Sequence, residues 1–285
     1  MADAYMGDTE LGVAKQTLIS NLVQRELAFQ SILRNTVTDV SAYAVKGVKT
    51  ISFPKLTGFS VSDRVEGVKG ETAALTATVD SINLDINAYV SWAVDAFTAK
   101  QITIDGQIES IKRASAAVAR SIDEAIIAKL AATAASFINV GADADVTYAN
   151  LVDMRKTLLK ADAVLSNCVV VVSPAQEAAL LKLTEFKSNE YYGNANVPAG
   201  QVGMILGMPV FVHNGLTDKQ LFMYEKSAIA AGFSKEAEYG EESFLELGVG
   251  AKRCAIDMYW GLGAMQLALK GAAAGKSPLI IGLND

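Results

Sequence analysis

A chain of 285 residues, 51% of them hydrophobic, has enough apolar material for one large domain or two modest ones, which excludes an intrinsically disordered chain. Its formal net charge of −6 argues against a dedicated DNA or RNA binder, which carries a basic patch. Two cysteines, Cys168 and Cys254, are too few for a disulfide framework and suit a reducing compartment, and the lack of any run of ~18 apolar residues predicts no membrane span.

The N-terminus carries Asp3, Asp8 and Glu10 with no cationic region or apolar core, so it does not read as a signal peptide, and the chain reads as cytoplasmic when made. Residues 1–47 read as an arm. Leu18, Leu22, Leu27 and Ile32 hint at a short amphipathic helix among polar residues, the kind of segment that orders against something else. The alternative is an ordinary first helix of the domain.

Residues 48–81 read as a protruding hairpin. Val48, Ile51 and Phe53 favour strand, and Leu75, Ala77 and Val79 alternate with Thr76, Thr78 and Asp80. Between them lie Gly58, Gly67 and Gly70 with Asp63, Arg64, Glu66, Lys69 and Glu71. Half of such a hairpin reaches on the order of 50 Å, and with so few apolar residues it is marginal alone. It is expected on a neighbour, with Arg64, Lys69 and Glu71 as candidate inter-subunit contacts; an edge hairpin folded back on its own domain is the alternative.

Apolar residues occupy odd positions up to Val79 and even positions from Ile82, which predicts a β-bulge or a change of sheet. From Ile82 the strand period continues through Leu84, Ile86, Ala88, Val90, Trp92 and Val94. After Phe97 the period changes: Ile104, Ile108, Ile111, Ser115, Val118, Ile122, Ile126 and Leu130 share one helical stripe. The helix from Gln101 to Ala134 would be about 45–50 Å long, against an average of ~11–12 residues for globular helices. Such a beam must lie along a sheet or another subunit. Residues 82–144 are expected to hold this strand and helix.

Residues 145–250 read as a compact α/β unit. Thr147 caps a helix with Tyr148, Leu151, Met154 and Leu158 on one face. Cys168–Val172 is a wholly apolar strand, and Ser173-Pro174-Ala175-Gln176 starts a helix through Leu183. Strands are expected at Met208–Val212, Leu221–Tyr224 and Ala228–Phe233. Residues 251–285 are expected to form a returning hairpin, Ala251–Tyr259 and Ala264–Lys270 about a Gly261-Leu262-Gly263 turn, on the sheet that holds Ile82–Val94.

No catalytic, cofactor-binding or metal residue emerges, and no cofactor is expected. His213 is the only histidine, which excludes a two-His metal site, and it reads as a turn residue beside Asn214-Gly215. Cys168 and Cys254 lie in apolar strands, where a thiol behaves as a small hydrophobe. Asp143 and Asp145 resemble the start of a calcium loop without its Gly and Glu. Gly261-Leu262-Gly263 lacks the third Gly of a dinucleotide fingerprint, and Gly203 and Gly207 lack the Lys-Ser/Thr of a phosphate loop.

The order of arm, extended hairpin, strand, long helix, α/β unit and returning β-hairpin resembles the major capsid protein of tailed double-stranded DNA phages, a fold shared with encapsulins and the herpesvirus capsid floor. Ile86–Asp95 leading to Ile122-Asp123 is similar to that family's strand and spine helix, Val170–Leu181 to its central domain, and Val202–Val210 to its "G-x-I-x-G-x-x-V" strand and turn. The resemblance implies an α+β fold with arm, extended loop, spine helix with peripheral sheet, and axial α/β domain. It further implies a virion subunit that forms pentamers and hexamers of an icosahedral shell around double-stranded DNA held without sequence specificity. Implied partners are the chain itself, a portal, a decoration protein and a scaffolding protein, the last a separate chain because no long segment precedes the hairpin. Lys55 and Lys69 are available for the Lys–Asn crosslink of some capsid families, but no motif identifies an acceptor. Two other readings are an encapsulin-type compartment and a small-molecule enzyme or binding protein built on the α/β unit.

Overall fold

The computed structural model describes residues 17–27, 31–45, 47–56, 66, 77–95, 104–139, 145–183, 201–265 and 276–284. In chain order the elements are α1 (residues 17–27), β1 (Thr38–Asp39), β2 (Thr50–Leu56), β3 (Ala77–Asn83), β4 (Ile86–Val94), α2 (Ile104–Thr133) and β5 (Ala134–Asn139). They continue as α3 (Tyr148–Lys160), β6 (Cys168–Val172), α4 (Pro174–Lys182), β7 (Gln201–Ile205), β8 (Met208–Val212), β9 (Leu221–Glu225), β10 (Ile229–Ser243), β11 (Lys252–Ala264) and β12 (Ser277–Asn284). The chain divides into two units.

The first unit comprises Met1–Lys49, Leu84–Ala128 and Ala231–Gly261. Its sheet has the order β1-β10-β11-β4. β11 pairs antiparallel with β4 in unbroken register from Lys252↔Val94 to Trp260↔Ile86. Facing residues share a side, so Cys254, Ile256, Met258 and Trp260 line up with Trp92, Val90, Ala88 and Ile86 on the apolar face that the alternation foretold. The stripe of α2 is buried from Ile111 through Val118, Ile122 and Ile126, widened by Ala114, Ala119 and Asp123. Ile108, expected on that stripe, is instead exposed.

The arm reading needs correction over the described part of residues 1–47. Val23, Leu27 and Leu33 are wholly buried, and Val37 and Val40 nearly so. Ser20 Oγ accepts from the Tyr239 amide at 3.1 Å, Gln24 Nε2 donates to the Ala237 carbonyl at 3.4 Å, and the Val40 amide donates to the Ala231 carbonyl at 2.9 Å. The face that docks is Val23 and Leu27, one helical turn apart, while Leu18 is exposed. Residues 17–27 and 31–45 are therefore held by their own subunit, with β1 as the edge of its sheet.

The second unit comprises Thr50–Asn83, Lys129–Ala230 and Leu262–Asp285. Its six-stranded sheet has the order β5-β12-β9-β6-β8-β7, mixed in direction: β6 is parallel to β8 and antiparallel to β9, and β12 is parallel to β5. All five residues of β6 are buried, as an apolar run flanked on both edges requires. Thr147 and Ser173 cap α3 and α4, each accepting from the amide three residues on at 3.3 Å, and Pro174 opens α4. β7 and β8 turn through Leu206 (φ 51°) and Gly207 (φ 83°), the paired positive φ of a two-residue hairpin.

The returning C-terminal hairpin is not formed as expected. β11 runs straight through Gly261-Leu262-Gly263, and the last described strand, β12, pairs with β5 and β9 in the six-stranded sheet. Glycine there makes room rather than a turn, because a Cβ on Gly263 would press into the Ile82 side chain. The expected strand at Ala264–Lys270 lies almost wholly outside the described residues. The boundaries shift as well: residues 231–250, read as part of the α/β unit, supply β10 to the first unit's sheet.

Candidate assembly surfaces

The residues with chemistry are occupied by structure. His213 is buried, its amide donates to the Val172 carbonyl at 3.0 Å, and its Nδ1 accepts from the Gly215 amide at 2.9 Å, a turn histidine as the sequence suggested. Cys168 is buried, and burial, with the nearby Glu225 charge, pushes its thiol up to about 11. Such a thiol is inert as a nucleophile at neutral pH. Cys254 is buried and lies 3.2 Å from the Tyr239 hydroxyl. Asp145 accepts from Lys219 at 2.8 Å, which holds its carboxyl below the usual carboxylate range; Asp143 lies outside the described residues.

Among the described residues no group of three or more His, Cys, Asp and Glu side chains could hold a metal ion, and no helix is long and apolar enough to cross a membrane. A polar cleft of about 460 Å³ in the first unit is lined by Ser20, Gln24, Lys235, Glu236, Glu238 and others. Its charges are already engaged: Arg34 holds Glu236 at 2.6 Å, and Lys235 reaches Asp257 at 2.9 Å and Glu238 at 3.0 Å. Burial works against the Lys235 charge, but those carboxylates outweigh it and hold its pKa above the ordinary value.

What remains is surface. β2 and β3 form a two-stranded sheet in regular antiparallel register from Thr50↔Asn83 to Leu56↔Ala77. Paired residues share a face, so Ile51 and Ile82 are buried together while Ser52, Pro54, Val79 and Ser81 point the other way, all exposed. Val79 is 64% exposed. The phase slip in the sequence is therefore not a bulge: the strand stays regular, its apolar residues change face, and after Asn83 the chain changes sheet to begin β4. Arg64, Lys69 and Glu71 lie outside the described residues, as does most of the hairpin tip.

Two further apolar surfaces escaped the sequence reading. In the first unit, the connection between β10 and β11 carries Leu245 and Val249, 72% and 90% exposed, with Leu247 between them. Its signal was three large apolar residues alternating with Glu246 and Gly248 where a plain turn would be polar. In the second unit, Tyr148, expected on one face with Leu151, Met154 and Leu158, instead joins Val152 and Leu159 in an exposed stripe on α3 beside that buried one. A helix apolar over so wide an arc has more apolar face than its own core uses.

A family model described as phage capsid protein matches residues 17–246. No curated protein sequence matches significantly. Among solved structures, one from Mycobacterium phage Che8 is similar with a TM-score of 0.70 at 18% identity, covering 90% of this chain and 91% of that one. A capsid structure of cyanophage P-SCSP1u is similar with a TM-score of 0.66 at 13% identity, covering 89% and 87%. A virus-like particle from Pyrococcus furiosus gives 0.61 at 10% identity, covering 95% and 99%. These likenesses show a shared mixed α+β capsid fold.

Proposed function

Since the chain belongs to the phage capsid protein family and is a structural, self-associating component of the virion shell, we propose that it tiles that shell as pentamers and hexamers, with the β2–β3 hairpin as the element that overlaps a neighbouring subunit. The outward face of that hairpin carries the reading. A two-stranded sheet is marginal by itself, yet this one turns Val79 and Pro54 to solvent while, among the described side chains, Ile51 and Ile82 are the ones buried on the other side. A second copy laid against the outward face would supply the missing apolar partner. Arg64, Lys69 and Glu71, toward the hairpin tip in sequence, would meet charges of that neighbour, and a rim contact of this kind tunes rate and register more than affinity.

The shell would enclose double-stranded DNA without reading its sequence. A net charge of −6 disfavours tight phosphate binding, so free subunits should bind DNA weakly, without sequence preference and with strong salt sensitivity. Scaffolding and portal functions would come from other chains. The likeness to the Pyrococcus furiosus virus-like particle supports a second reading, a shell filled with protein rather than DNA, on the same fold. Electron microscopy of the purified, assembled protein, with its contents analysed, tests both. Closed icosahedral particles built of pentamers and hexamers and holding DNA are expected. A protein cargo would favour the second reading, and sedimentation giving monomers or dimers under every assembly condition would refute the first.

A further inference from the structure

We propose that Asp123 is the positioning residue for the N-terminal segment of the subunit, and that its carboxylate thereby sets the subunit's competence to assemble. Asp123 lies on the inner stripe of α2 and is 2% exposed. A carboxylate so placed is costly unless hydrogen bonds replace its water. Here one turn of chain, some ninety residues away in sequence, supplies them. Ser31 Oγ donates to Oδ1 at 2.8 Å, the Leu33 amide donates to the same oxygen at 3.1 Å, and the Ile32 amide donates to Oδ2 at 3.0 Å. Two successive backbone amides aimed at one anion form a small nest that selects a carboxylate by charge. An Asn side chain has the same shape, but its NH2 group would face donors.

Everything that follows in the segment depends on this turn. Arg34 sits directly after it, with its guanidinium 4.1 Å from the centre of the Phe233 ring and 2.6 Å from Glu236. Phe233 stacks on Trp260 at 5.7 Å. Beyond lie β1, paired at the sheet edge, and Ser41, whose hydroxyl accepts from the Phe233 amide at 3.0 Å. Tyr43 and Val45 come next, large, apolar and exposed, immediately before the hairpin. Asp123 fixes the register in which these side chains are offered to a neighbour.

Hydrogen exchange on the full-length unassembled subunit tests the proposal, together with particle yield. In Asp123→Asn the amides of residues 32–40 should exchange about tenfold faster or more, while those of Val169–Val172 keep their rates. Trp260 fluorescence, isolated by Trp92→Phe, should shift as Phe233 loosens, and particle yield should fall about tenfold at a concentration where the parent assembles. Ser31→Ala, which removes one donor and leaves both amides, should give a smaller effect in the same place and decides the matter if Asp123→Asn does not fold. Asp123→Asn assembling at parental yield would overturn the proposal, as would exchange that rises equally in residues 32–40 and 169–172, or a Ser31→Ala protein with unchanged exchange. The yield measurement rests on the shell reading and the exchange measurement does not. A parent chain that never forms particles would therefore count against the shell alone.

Discussion

Single atoms decide more here than glycine content suggests. Gly263 has no left-handed φ, and a Cβ at that position would collide with the Ile82 side chain; at Gly282 it would collide with the Phe137 ring. Both are glycines of space, in strands, where sequence alone reads a Gly-Leu-Gly as a turn. Gly263→Ala should therefore lower stability by about 1–3 kcal/mol, the usual range for overpacking a core. Thermal denaturation checks it, and an unchanged midpoint would mean that Ile82 has room to move. Cys168 makes a second case. Burial first, and the Glu225 charge second, raise its thiol to about 11 in the folded chain from 9.0 when exposed. The folded state thus holds the proton more tightly, so the stability this contributes is complete below about pH 9 and lost as pH rises toward 11. The slope is at most about 1.4 kcal/mol per pH unit. Cys168→Ala should be less stable at neutral pH through lost volume, yet show a smaller fall across that window in urea titrations. An equal fall in both proteins would remove the thiol from the account.

Local signals were legible where chemistry and period agreed, at the scale of whole elements. The Ser173-Pro174 start, the all-apolar β6, the alternation of β4 and the stripe of α2 each state their element without help from the rest of the fold. Illegible elements depend on partners. β5 follows α2 with no turn residue between Thr133 and Ala134, and becomes a strand because β12 lies parallel beside it. β12, the last described strand of the chain, could not be assigned to a sheet from its own residues. Of the candidate surfaces, the charged hairpin tip expected from the sequence lies outside the described residues, and the exposed stripe on α3 was hidden beside core positions of the same period. That stripe yields a prediction of its own. Val152→Lys with Leu159→Lys should change subunit stability by no more than about 0.5 kcal/mol, because both side chains are exposed, yet should reduce particle formation. Wild-type yield by sedimentation would show that α3 faces solvent in the shell.

At the scale of the whole molecule, a shell protein must fold as a subunit and remain incomplete as a surface, and the proposed role of the hairpin predicts that the two demands can be separated there. The segment Gly58–Gly70 has three glycines, charges of both signs and only scattered apolar residues, a composition that offers little to a core. The described base of the hairpin, Thr50–Leu56 paired with Ala77–Asn83, is held through Ile51 and Ile82, and on its opposite face Ser52, Pro54, Val79 and Ser81 are exposed. Replacing Gly58–Gly70 by an Asn-Gly turn should preserve that register, and loop closure entropy changes too slowly with length to matter. The shortened subunit should keep near-parental thermal stability and lose particle formation. Val79→Asp on the intact chain should act in the same direction, because it places a charge on the outward apolar face without touching the buried one. Reversing Arg64 or Lys69 should weaken assembly in a way that changes with ionic strength, since exposed pairs are screened over about 10 Å at 0.1 M salt. If truncated subunits still build normal shells, the hairpin is a private edge of its own unit, and the overlap must be sought at the β10–β11 connection instead.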